Sequence, residues 1–153
     1  MRPNDRITPP VPAVTAPPVG VPAPGAGAGA AAARAYAEWV ARTRWGGPGR
    51  EGREEDVVDL LLVVSELVTN AVRHGDGLAG FEARPTEEGL WIAVHDNNTV
   101  VPEYAYAFPT AHPGGGYGWP IVARLARNVA VEPRPGGGKT ISALVPLRAA
   151  DTA

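Results

Sequence analysis

EEDVVDLLLVVSELVTNAVRHG, residues 54–75, is the stretch that decides the fold. At about 100° per residue, its apolar side chains fall on one broad face of a helix, which indicates a core-facing stripe. The stripe consists of Val57, Leu60, Leu61, Val64, Val68, Ala71 and Val72. The pattern therefore predicts one long amphipathic helix at the centre of the domain.

The opposite side of this helix is polar, but it is not uniformly so. Its polar members, Asp59, Glu66, Asn70 and Arg73, fall within about 60° of one another. Leu62 and Val63 flank Glu66 on the same side, and a helix that is apolar nearly all round is normally covered on both faces. We therefore expect Glu66 and Asn70 to face a partly enclosed space. The alternative is an ordinary surface face with a glutamate and a capping asparagine.

Length and composition limit the class of protein. The chain has 153 residues, of which 44% are hydrophobic, enough for the core of one domain. Fourteen basic and sixteen acidic residues give a net charge of −2 without a basic cluster, which argues against direct contact with nucleic acid. The absence of cysteine excludes disulfides and thiolate metal sites, and no apolar run approaches the roughly 20 residues of a membrane span. We expect a cytoplasmic protein.

Three segments are expected from the composition. Residues 1–30 are rich in proline, alanine and glycine and contain no aromatic residue, so they predict a disordered or polyproline-type tail, passive rather than docking. Residues 31–148 are expected to form the folded domain, and residues 149–153 a flexible C-terminus.

The order of predicted elements gives the fold class. Helices are predicted from residue 31 to 45 and from 54 to 75, strands at 78–84 and 90–96, a loop at 97–118, a helix at 119–127, and strands at 129–132 and 139–147. The pattern is typical of an α+β protein, a two-layer sandwich with helices on one face of a mostly antiparallel sheet.

Two loops could carry chemistry. Asp96 closes a predicted strand, where an aspartate is either an ordinary turn residue or an acceptor for an exocyclic amine. Residues 114–118, GGGYG, precede a helix, so their backbone N–H groups could hold an anion, although glycine clusters in loops are common. The loop has neither the ending of a P-loop nor the spacing of a dinucleotide fingerprint.

Other motifs are rejected from their context. The sequence GKT at 138–140 precedes a strand and not a helix, so it predicts a hairpin turn instead of a Walker motif. His74, His95 and His112 lack metal-ligand spacing, and Ser65 lacks a histidine base in its own turn. We therefore expect neither a histidine metal site nor a triad hydrolase.

Four ordered motifs closely resemble the four boxes of the GHKL ATPase superfamily, which includes gyrase, histidine kinases and heat-shock chaperones. They are ELVTNAVRHG at 66–75, Asp96 after a strand, GGYGWPIV at 115–122 and GGKT at 137–140. The segment SELVTNAVRH resembles the hallmark of the short anti-sigma-factor serine kinases. The resemblance covers about residues 31–147 and implies a Bergerat fold that binds ATP and Mg²⁺.

The resemblance implies a role for each matching residue. Glu66 matches the catalytic glutamate, which acts as a general base on the attacking serine hydroxyl. Asn70 matches the ligand of the Mg²⁺ ion that bridges the triphosphate. Asp96 matches the aspartate that accepts a hydrogen bond from the adenine amino group, and Thr140 matches a residue close to the adenine and to Asp96.

The lid motif matches in part. Gly116 and Gly118 match the lid glycines near the phosphates. Two other positions depart from the family pattern. Asn98 stands where a glycine is often found two residues after the aspartate, and Tyr117 stands where the lid often carries a basic residue near the γ-phosphate.

The resemblance also implies an activity and partners. The expected activity is that of a protein serine/threonine kinase acting on an anti-sigma-factor antagonist of the small α/β type, with a sigma factor as the second partner and a homodimer as the assembly. Retained Glu66 favours this hypothesis, since a pure binding module needs no base. The alternative is a nucleotide-sensing module that binds ATP and a partner without turnover, which Tyr117 favours. An ATP-hydrolysing clamp is disfavoured because no transducer domain follows Leu147.

Overall fold

The computed structural model describes residues 23–46, 51–100 and 118–150, and these contain every predicted helix and strand. In chain order they are α1 (Ala30–Thr43), α2 (Glu54–His74), β1 (Leu78–Pro85), β2 (Gly89–Asp96), α3 (Gly118–Leu125), β3 (Arg127–Pro133) and β4 (Lys139–Pro146). No helix within these ranges has the length and the apolar character that crossing a membrane requires.

The four strands form one antiparallel sheet in the order β1-β2-β4-β3. Helix α2 contacts β1, β2 and β4, while α1 and α3 both pack against α2. The buried side chains of β2 include Leu90, Ile92 and Val94, which alternate along the strand and join the core under the helices. The predicted α+β two-layer sandwich is confirmed.

The buried face of α2 differs from the predicted stripe. Val63 and Leu67 are fully buried, whereas Val72 is 53% exposed. On a helical wheel the buried arc is rotated by about 50° from the prediction, toward Asn70. The physical reason is that α2 is packed between α1, α3 and the sheet, so neighbouring elements decide which apolar side chains are covered.

The inner ends of the predicted tail and of the predicted flexible C-terminus form hydrogen bonds with the domain. The backbone N–H of Gly27 donates to the carbonyl of Leu78 at 2.9 Å, and Ala28 packs against the core. At the other end, the N–H of Ala150 donates to the carbonyl of Glu51 at 2.8 Å. Backbone hydrogen bonds therefore hold both segments on the domain. The rest of both predictions, residues 1–22 and 151–153, lies outside the described residues.

A buried carboxylate fastens the chain after β4 to the first turn of α2. Asp56 is 5% exposed, and its Oδ2 accepts the backbone N–H of Arg148 at 2.9 Å. Its Oδ1 accepts from the guanidinium of Arg148 at 3.1 Å. The contact connects residues from distant parts of the sequence and also places a negative charge at the positive end of the α2 dipole.

Replacing Asp56 by alanine is expected to destabilise the fold. The substitution leaves the backbone N–H of Arg148 without its acceptor, a loss of about 1–3 kcal/mol in the free energy of unfolding. Urea denaturation measures this value. The control is Glu55→Ala, which removes an exposed carboxylate from the same helical turn and should change stability by less than about 0.5 kcal/mol. Equal effects of the two substitutions would contradict the assignment.

Candidate functional site

The second half of α2 carries the two helix residues of the candidate site. Glu66 and Asn70 are one turn apart, so their side chains lie on the same side of the helix, and both are half-buried. In the described part of the chain, no hydrogen bond or ion pair engages the Glu66 carboxylate. The neighbouring Ser65 hydroxyl, in contrast, donates to the carbonyl of Leu61 at 2.7 Å. The hydrogen-bond acceptor positions of Glu66 are therefore not used by the described residues.

Asp96, at the end of β2, lies against the end of α2. The N–H of Asn97 donates to the carbonyl of Gly75 at 2.8 Å. A Cβ atom at Gly75 would lie 2.5 Å from Asp96 Oδ2, so only glycine permits this approach. Since Asn70 lies little more than one turn before Gly75, the structure brings Asp96 to the end of the helix that carries Asn70.

The Asp96 carboxylate is buried together with Lys139, the first residue of β4. Asp96 is 1% exposed and Lys139 is 2% exposed, and Lys139 Nζ lies 2.7 Å from Asp96 Oδ2. The other oxygen, Oδ1, accepts the backbone N–H groups of Asn98 at 3.0 Å and of Lys139 at 3.3 Å. Lys139 Nζ also donates to the carbonyl of Asn98 at 3.0 Å. Asp96 is thus the acceptor at the centre of a buried polar cluster.

The glycine-rich turn before β4 holds the main chain of Asp96. Gly138 has a φ of 84°, and a Cβ atom there would lie 2.1 Å from the carbonyl oxygen of Asp96. Arg134, at the start of the turn, donates from Nη1 to the same carbonyl at 2.9 Å. The predicted hairpin turn therefore also fixes the position of the carboxylate.

The described contact of the Thr140 side chain is with His95 and not with Asp96, so its predicted place near the adenine stays a prediction. Its hydroxyl lies 2.7 Å from His95 Nδ1, and His95 Nε2 lies 2.7 Å from Glu82 Oε2. The reason is the period of a strand: successive side chains of β4 point to opposite faces, so Lys139 takes the position next to Asp96. Lys139 was not among the predicted site residues, although its alternation with Ile141 along β4 indicates that it faces the helices.

The pKa of Glu82 is lowered to about 2, mainly because the carboxylate accepts a hydrogen bond from His95 and, to a smaller extent, one from Arg84. Its pKa in the unfolded chain is near 4.5. A carboxyl whose pKa is lower in the folded state stabilises the fold above the unfolded-state value. This contribution is therefore complete above pH 4.5 and disappears as the pH falls toward 2.

Stability at low pH tests this contribution. We expect the difference in urea midpoint between the wild type and Glu82→Gln to be largest near neutral pH. It should shrink as the pH falls below about 4.5, because protonation then removes the same charge in the wild type. Glu87→Gln, in the exposed turn between β1 and β2, is the control and should show no such pH dependence. A constant difference for Glu82→Gln between pH 6 and pH 3 would contradict the prediction.

The lid residues lie only partly within the described structure. Gly116 and Tyr117 are outside the described residues, whereas Gly118 is the first residue of α3. Asn98 is described, and its side chain bridges two segments: Nδ2 donates to the carbonyl of His74 at 3.3 Å, and Oδ1 accepts the N–H of Val100 at 2.8 Å. Its φ is not positive, so this turn does not require the glycine that the family often has.

The chain matches the family "Histidine kinase-like ATPase domain" over residues 26–144. It matches no curated protein and no solved structure. The matched range contains Glu66, Asn70, Asp96 and Lys139, and it covers well over half of the chain. The chain therefore belongs to the histidine kinase-like ATPase domain family of the GHKL superfamily.

Proposed function

We propose that the protein is an ATP- and Mg²⁺-dependent serine/threonine kinase that phosphorylates an anti-sigma-factor antagonist and binds a sigma factor as its second partner. The family membership supports ATP binding in general. The observation that carries the kinase proposal is the half-buried Glu66 carboxylate, which no hydrogen bond engages in the described residues and which lies one turn before Asn70.

The described residues fit a nucleotide and its metal ion. About four lone-pair directions are available on a carboxylate, and the hydrogen bonds to Asp96 use three of them, so one acceptor position remains for an exocyclic amine. No cluster of three metal-binding side chains occurs in the described ranges. Mg²⁺ would therefore be held by the Asn70 side-chain oxygen together with phosphate oxygens, which is usual for this ion.

In the proposed reaction, Glu66 accepts the proton of a substrate serine hydroxyl. The serine oxygen bonds to the γ-phosphorus of ATP while the bond to the bridging oxygen breaks, and ADP leaves. A carboxylate positioned within hydrogen-bond reach can contribute about 10²- to 10⁴-fold to such a step. When bound, Mg²⁺ would neutralise charge on the triphosphate, and positioning of the two substrates would supply the rest.

The test is phosphoryl transfer to purified candidate antagonists. Each small α/β protein of this type from the same genome is incubated with the full chain, ATP and Mg²⁺, and its intact mass is measured. A gain of one phosphoryl group on a serine or threonine supports the proposal. If the wild type binds ATP but transfers phosphate to none of these proteins, the kinase proposal is lost.

A second candidate function is a nucleotide-sensing module that binds ATP and a partner without turnover. Tyr117 favours it, because the lid lacks the cation that would contact the γ-phosphate. Introducing a basic residue at position 117 distinguishes the kinase from the sensing module. In a kinase limited by the lid, Tyr117→Arg should raise phosphoryl transfer, whereas in a pure sensing module it should change nucleotide affinity alone.

A further inference from the structure

Lys139 is the largest fully buried side chain in the described part of the chain. Burying an ammonium group costs several kcal/mol unless other groups replace its water. Here the carboxylate of Asp96 and the carbonyl of Asn98 do so, at 2.7 and 3.0 Å. The pair connects β4 to the end of β2, and Asp96 is also the residue to which the proposed function assigns the adenine amine.

The Asp96–Lys139 pair has hydrogen-bond donors and acceptors that the described contacts do not engage. Asp96 Oδ1 accepts two backbone N–H groups, so its two lone pairs are engaged. Oδ2 accepts only from Lys139 Nζ, which leaves one acceptor position. The ammonium has three donors, and the described contacts engage two of them. One donor and one acceptor therefore remain next to each other.

The Watson–Crick edge of adenine carries the complementary pair. Its exocyclic amine is a donor, and the adjacent ring nitrogen N1 is an acceptor. Guanine carries a carbonyl oxygen in place of the amine and an N–H in place of the acceptor. With Asp96 facing the amine position, a carbonyl oxygen there would meet a carboxylate, which is unfavourable.

We propose that Lys139 is a base-reading residue, which donates to adenine N1 while Asp96 accepts from the exocyclic amine. This assignment rests on the proposed ATP-binding function and names the groups that select the base. It differs from the prediction from resemblance, in which Thr140 lay beside the adenine. The Thr140 hydroxyl instead contacts His95.

The first test compares two nucleotides on the wild-type chain by calorimetry. ATP has the N1 acceptor, whereas 1-deaza-ATP has a C–H group there and keeps the amine. We expect ATP to bind about 10- to 100-fold more tightly, because the analogue leaves a buried charged donor without its partner. Equal binding of the two nucleotides overturns the assignment of Lys139 but leaves ATP binding intact. Binding of neither overturns the ATP-binding function, and this assignment with it.

The second test repeats the comparison with Lys139→Met. The preference for ATP over 1-deaza-ATP should fall to less than about twofold, since the donor is gone. Arg127→Met is the matched control, because it removes an exposed cation from β3 and should keep the wild-type preference. Tighter binding of ATP to Lys139→Met than to the wild type would overturn the assignment, because Lys139 would then compete with the base. The wild-type comparison decides the matter if Lys139→Met does not fold.

Discussion

Glu66→Gln is expected to lower the rate of phosphoryl transfer by about 10²- to 10⁴-fold while ATP affinity changes by less than about twofold. Glutamine has nearly the same shape as glutamate but cannot accept a proton at neutral pH. No described group forms a hydrogen bond or ion pair with this carboxylate, so its replacement should not disturb the fold. The measurements are the rate of single-turnover phosphoryl transfer to an unmodified partner that the wild type phosphorylates, and the affinity for ATP by calorimetry.

The control for Glu66→Gln is Asp59→Asn, which removes a half-buried carboxylate two turns earlier on the same side of α2. It should leave transfer within about twofold of the wild type. Two results would contradict the role of Glu66 as a base. One is a wild-type rate of phosphoryl transfer by Glu66→Gln. The other is a reduced rate together with a reduced ATP affinity that accounts for the whole reduction.

Asp96→Asn is expected to affect both stability and ATP binding. The substitution leaves the Lys139 ammonium buried without its counter-charge, which typically costs about 3–5 kcal/mol. It also weakens the acceptor for the adenine amine, with an expected loss of about 1–3 kcal/mol in binding. Urea denaturation and calorimetry measure the two effects separately.

The double substitution Asp96→Asn/Lys139→Met separates the structural role of the pair from its binding role. It removes both charges, so stability should recover most of what Asp96→Asn lost. ATP binding should not recover to the wild-type value, because the proposed donor to the base is absent and the asparagine oxygen is a weaker acceptor than the carboxylate. Recovery of wild-type ATP affinity in the double variant would mean that Asp96 holds β4 in place and does not bind the base.

The order and type of the helices and strands in the described residues could be predicted because hydrophobic periodicity and turn residues are local features. The stretch at 54–75 reads as one helix, and the structure has α2 at Glu54–His74. The direction of its buried face could not be predicted as well. Val63 is buried and Val72 is exposed because α1, α3 and the sheet all pack on α2, and their positions are not encoded in its periodicity.

Residue chemistry and motif agree in selecting Glu66, Asn70 and Asp96, and the roles assigned to these residues stay predictions. Lys139 was missed because a charged side chain is not expected in a core, so the motif position was given to Thr140. The Lys139 ammonium can be buried because Asp96 supplies the counter-charge. This contact joins residues that are far apart in the sequence. Strand alternation alone would have assigned Lys139 and Thr140 to opposite faces.

Calorimetric titration of ATP, with and without Mg²⁺, into the wild type and Asn70→Ala tests the central claim most directly. The claim is that the end of α2 and the end of β2 form an ATP site in which Asn70 helps to hold the metal ion. We expect Mg²⁺ to tighten ATP binding to the wild type and Asn70→Ala to lose this gain. Absence of ATP binding to the wild type, or an undiminished Mg²⁺ effect in Asn70→Ala, would contradict it.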